Sequence, residues 1–138
     1  MLAQEQYIEH PNHVPIQLEI SNLGTDNTKT RCYGGIRCRW QNRIPVGRLL
    51  KLSLPQISPE FFATVQVIWR RLVGNDYELG LVFIDPQQAY QMRMLEQVCH
   101  INCYQRWIFE HEGRLLDPEQ AAIEWISKFA GHFPKAVS

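Results

Sequence analysis

The chain has no apolar run long enough to cross a membrane, no glycine-rich phosphate loop opening a helix, and no nucleophile set beside a base at a catalytic spacing. The first absence excludes a helical membrane span. The others leave no sequence basis for an enzyme. Cysteine is sparse: Cys32, Cys38, Cys99 and Cys103 stand at spacings unlike the tight knuckles of structural zinc sites, so free thiols in a reducing compartment are expected. His10 and His13 frame Pro11 in a segment without helical period and are not expected to hold a metal. The first residues, Met1-Leu2-Ala3-Gln4-Glu5, lack the basic-then-apolar order of a secretory leader, and a cytoplasmic protein is the expectation.

Acidic residues are missing from one long stretch. Residues 28–51 carry Lys29, Arg31, Arg37, Arg39, Arg43, Arg48 and Lys51 with no Asp or Glu among them. Glu96, Glu110, Glu112, Asp117, Glu119 and Glu124 offset them later in the chain, and the formal net charge is +0. This segregation predicts a basic strand face, either simply solvated or attractive to an anionic partner.

What is present is enough for one domain with a real core: 138 residues, 45% of them hydrophobic. Val14, Ile16, Leu18 and Ile20 alternate with Gln17 and Glu19. Ile36, Cys38 and Trp40 alternate with Arg37 and Arg39, and Leu50, Leu52 and Leu54 with Lys51 and Ser53. Val65, Val67 and Trp69 lead through Gly74-Asn75-Asp76 into Tyr77, Leu79, Leu81 and Phe83, a hairpin pattern. Arg39-Trp40 and Trp69-Arg70-Arg71 have the composition of a nucleic-acid face. The alternation, however, turns Trp40 and Trp69 inward with Cys38 and Val67, so nucleic acid is not the expected partner.

From Asp85 the period becomes helical. Asp85-Pro86-Gln87-Gln88 and Asp117-Pro118-Glu119-Gln120 each offer a cap, a proline at the first helical position and a Gln three residues after the cap. The helices should end near Gly113 and Gly131. On the first, Tyr90, Met94, Val98, Ile101, Tyr104 and Ile108 form one stripe and Met92, Leu95, Cys99 and Cys103 another. The barrel and the last helix, through Ala122, Ile123, Trp125, Ile126 and Phe129, are expected to cover both. A homodimer through the helical tail is the competing cover. The expected architecture is mainly β with C-terminal helices: an N-terminal arm at 1–13, a six-stranded antiparallel β-barrel at 14–84, and two α-helices in a tail at 85–138 packed on it.

A glycine pair, Gly34-Gly35, interrupts the strand-like run Thr30-Arg31-Cys32-Tyr33-Gly34-Gly35-Ile36. With this turn, Val67-Ile68-Trp69, Gly80-Leu81-Val82-Phe83 and a helical tail carrying Glu96-Gln97-Val98-Cys99, Glu112-Gly113-Arg114 and Ala121-Ala122-Ile123-Glu124-Trp125-Ile126, the chain resembles the PilZ domain family from about Tyr7 to Pro134. The resemblance implies a PilZ-like barrel in a non-catalytic bacterial signalling module. It also implies the ligand cyclic di-GMP, held by an Arg-x-x-x-Arg arm and an Asp/Asn-x-Ser-x-x-Gly turn.

Here the arm positions hold Glu9 and His13, and the turn positions hold Thr30, Cys32 and Gly35. Losing two charge-assisted contacts weakens binding by roughly two to four orders of magnitude. The resemblance therefore implies an adaptor working through protein contacts, with partners among motility, pilus or exopolysaccharide machinery. A receptor with a rearranged site is the alternative. The candidate ligand residues are Glu9, His13, Thr30, Arg31, Cys32, Gly34, Gly35, Arg37 and Arg39; Arg39 and Arg43 follow the turn, so their Arg-x-x-x-Arg spacing is coincidental.

Overall fold

Alternating burial produces the strands, and the caps at Asp85 and Asp117 start the helices. The computed structural model describes residues 6–25 and 32–134. Its elements are β1 (Tyr7–Glu9), β2 (Gln17–Thr25), β3 (Gly35–Trp40), β4 (Arg48–Leu54), β5 (Ser58–Val73), β6 (Asp76–Phe83), α1 (Pro86–Glu112) and α2 (Pro118–Phe129), with a 3-10 turn at Ala130–His132. No helix among the described residues is long and apolar enough to cross a membrane.

The six strands form one sheet in the order β1-β3-β6-β5-β4-β2. Two features correct the antiparallel barrel. First, the sixth strand comes from the arm: Tyr7, Ile8 and Glu9 pair in parallel with Gly35, Ile36 and Arg37, so the sheet is mixed. Second, β1 and β2 are its two edges, and no ladder joins them among the described residues. Residues 10–16 connect one edge to the other, and seven residues span at most about 25 Å, so the sheet must curl. Curling without pairing leaves a gap. Val14, Ile16 and Leu18 pack against the core, and Ala89, Met92 and Cys99 of α1 join Ile36, Leu52, Val65, Leu81 and Phe83 in one buried cluster.

The alternation holds along β3 and along β4 from Leu50. Ile36 and Cys38 are buried while Arg39 is exposed, and Leu50, Leu52 and Leu54 are buried with Lys51 outside. It fails at two irregularities. In β2 the pairing with β4 breaks after Ile20, leaving Ile20 64% exposed and Ser21 buried. In β5 the register shifts between Val67, opposite Leu81, and Trp69, opposite Gly80. That bulge turns Trp69 to the outer face, correcting its expected place in the core. There the indole lies over Gly80, where an added Cβ would collide with it, and meets Tyr7 edge-on at a centroid distance of 5.8 Å.

Both helix starts are as the sequence predicts. The Asp85 carboxylate accepts from Gln88 N at 2.9 Å, but Gln88 Oε1 accepts from Thr64 N on β5 instead of closing a capping box. The box at Asp117 and Gln120 is complete. Gly113, at φ 69°, ends α1.

The first stripe on α1 is covered over only part of its length. Tyr104 and Ile108 are buried, whereas Tyr90, Met94 and Val98 are exposed. Length is the reason: α1 has 27 residues and α2 only 12, about 40 Å against 18 Å.

Candidate functional site

The candidate ligand residues do not converge. Thr30 and Arg31 lie outside the described residues. Gly34 takes φ 127°, a left-handed value that glycine tolerates, and its carbonyl accepts from Phe83 N at 3.0 Å. Cys32 Sγ donates back to the same carbonyl at 3.6 Å. Gly35 enters β3 between Tyr7 and Val82. Around this turn Ile8, Tyr33, Phe83, Arg93 and Pro134 leave a cavity of only about 10 Å³. That is room for one water at most. Arg39 is exposed and borders a different hollow with Asn12, Ile16, Trp40 and Asp76.

Glu9, His13 and Arg37 do come together. Glu9 stands opposite Arg37 across the β1–β3 ladder, and Arg37 Nη2 donates to Glu9 Oε2 at 3.3 Å. With Tyr7 and His13 they form one wall of a groove of about 750 Å³ beside the β1 edge. The opposite wall comes from α1 (His100, Cys103, Tyr104, Arg106, Trp107, Glu110) and from Trp125, Phe129, His132, Phe133 and Pro134 after it. The volume suits a small molecule or a short peptide segment.

Rigid contacts set this second wall. Tyr104 donates to Glu124 at 3.0 Å and accepts from Lys128 Nζ at 3.1 Å. Arg114 grips the same Glu124 with two nitrogens, at 3.0 and 3.2 Å, and with Tyr104 it holds that carboxyl below the usual carboxylate range. Phe129 meets Tyr104 edge-on at 5.8 Å, and His100 meets Phe133 edge-on at 5.3 Å. Trp107 stacks on His111 at 4.6 Å, leaving an indole 49% exposed.

The two walls are tied at the β1 edge. His100 Nε2 lies 2.9 Å from Glu9 O. Deeper, His10 Nδ1 lies 2.7 Å from Glu96 Oε2, with both side chains buried. This pair was not legible from local patterns, since its members are 86 residues apart. One signal existed: Glu96 is a carboxylate within the arc of α1 that carries Met92 and Cys99.

Two thiols close to Glu96 are held protonated. Burial above all, with the Glu96 charge second, pushes Cys38 and Cys99 up to about 12. Burial also raises Cys103, which lines the groove. At neutral pH these are packing groups, not nucleophiles. No disulfide joins any of the four cysteines. Compared with known proteins, the chain matches no family model, no curated protein and no solved structure.

Proposed function

We propose that this chain is a non-catalytic PilZ-type signalling module that acts by binding another protein, with cyclic di-GMP binding weak or lost. The observation that carries this reading is the Glu9–Arg37 ion pair. At the arm position where the family offers a cation to phosphate, this chain puts a carboxylate, and that carboxylate already engages the nearest arginine of β3. A dianionic ligand would meet repulsion there in place of a charge-assisted hydrogen bond. The filled space around Gly34 and Gly35 supports the same reading, as a dinucleotide needs far more than about 10 Å³. The aromatic groove beside β1 is the surface best shaped for a partner segment.

A calorimetric titration tests the reading. With cyclic di-GMP at up to about 100 µM we expect no binding heat and no change in melting temperature, because a ligand that bound the native state would stabilise it. Saturable heat with a raised melting temperature overturns the adaptor reading. A receptor with a rearranged site is favoured by one observation: Arg37, Arg106 and Trp107 line the same groove and offer two cations and a stacking face. On that reading Arg106→Ala and Trp107→Ala each abolish the heat.

A further inference from the structure

His10 sits where the N-terminal strand meets α1, and both of its ring nitrogens face acceptors. Nδ1 is 2.7 Å from Glu96 Oε2, and Nε2 is 2.7 Å from the carbonyl oxygen of Val14. A carbonyl carries no proton, so Nε2 must donate to Val14. The contact to Glu96 therefore needs a second proton, placed either on Nδ1 or on the carboxyl. In both placements the pair is held by one shared proton and is neutral overall. Removing that proton leaves a buried carboxylate facing the lone pair of Nδ1 at hydrogen-bond distance. Neither group can turn to water where it stands, since His10 and Glu96 are 4% and 0% exposed.

We infer that His10 and Glu96 form a proton-dependent latch joining the N-terminal strand to α1, closed when the shared proton is present and released when it is lost. The surroundings reinforce this. From α1 come Glu96 itself and the Cys99 thiol; from β3 comes Cys38; Glu78 on β6 acts on Cys38 from further off. Both thiols, with Cys103 further along α1 on which the Glu96 charge also acts, stay protonated at neutral pH and offer Glu96 no countercharge. Among the described residues Glu96 Oε1 has no hydrogen-bond partner within bonding distance, so beside the Cys99 thiol the carboxyl's short contact is the one Oε2 makes to His10. Burial pushes His10 down, but the Glu96 hydrogen bond and charge, with the Val14 carbonyl, more than offset it, and His10 ends above its ordinary value.

The latch has a consequence for the groove. Its two walls are the β1 segment, with Tyr7, Glu9 and His13, and α1, with His100 to Glu110; His10 and Glu96 tie those same two segments together. Loss of the proton removes the buried tie between β1 and α1, leaves the more exposed His100–Glu9 contact to hold them, and so loosens the groove. The inference concerns the scaffold and stands whether or not the adaptor reading holds.

The test is a pH series on the full chain, combining nitrogen-15 NMR of the histidine rings with amide exchange corrected for intrinsic base catalysis. We expect His10 to titrate above 6.5 with two ring N–H groups below that midpoint. Protection of the His10 amide, which bonds Arg37 O, should fall about ten- to a hundredfold through the same midpoint, ahead of global unfolding. Glu96→Gln, which keeps a neutral hydrogen bond to Nδ1, should make that protection independent of pH. A His10 midpoint at or below 6.5, or β1 protection unchanged across it, overturns the latch. Should Glu96→Gln fail to fold, the wild-type series decides alone.

Discussion

Gly80 owes its identity to one neighbour. Trp69 fills the outer face of β6 where any side chain at position 80 would stand. Gly80→Ala should therefore displace the indole from Tyr7 and cost about 1–3 kcal/mol, as overpacking does, read as a lower urea midpoint and a shifted tryptophan emission. At His10 the sign of the pH effect is set by its raised folded value. Stability from the pair is fully present below the ordinary 6.5 and is lost as pH rises through the folded value. The opposite edge lies at Glu124, held low first by Arg114: its contribution is present above the ordinary 4.5 and lost in acid. Urea midpoints taken from pH 4 to 9 should thus decline at both ends. Glu96→Ala, which strands His10, should cost about 3–5 kcal/mol at neutral pH, a large share of the roughly 5–15 kcal/mol that holds a domain folded.

The helices end and begin where short-range chemistry dictates, which makes their caps separable from the core. Asp117→Ala removes the acceptor for Gln120 N and should cost about 1 kcal/mol, visible as faster exchange in the first turn of α2 with β5 and β6 unaffected. Gly113→Ala forces a side chain into a left-handed φ of 69° and should cost a similar amount. Such features are legible because a cap, a proline or a glycine each acts on backbone within four residues of itself. Strands with regular pairing were legible for the same reason: Ile36 and Cys38, or Leu50 and Leu52, announce their inner face by alternation alone. Three residues, Tyr7 to Glu9, are too few to show a period, so β1 read as an arm. The bulge before Trp69 was hidden because an extra residue reverses parity without changing composition. The candidate site suffered most. Sequence proximity to the glycine turn grouped Gly34 with Arg39, whereas the ladder with β1 sets Arg37 against Glu9, and the groove brings His13 beside both.

At the scale of the whole molecule, the groove separates binding from stability. Trp107 and Phe129 line it while half-exposed, and alanine at either should cost only about 0.5–1.5 kcal/mol by urea midpoint, the worth of the ring contact to His111 or Tyr104 that it removes. Trp125 also borders it but is buried against the core, and Trp125→Ala should cost about 3–5 kcal/mol. A partner captured by the wild type and by neither exposed-site variant would locate its docking surface in the groove. The parallel pairing of β1 carries one more implication, for the order in which the chain is made. The segment translated early has no partner until β3 has appeared, and no lock until Glu96 follows His10 by 86 residues. At about 5–20 residues per second that is a wait of roughly 4–17 s. During this interval Tyr7 and Ile8 leave the ribosome uncovered, so a nascent chain halted before α1 should offer this sequence to chaperones and proteases that the finished molecule denies it.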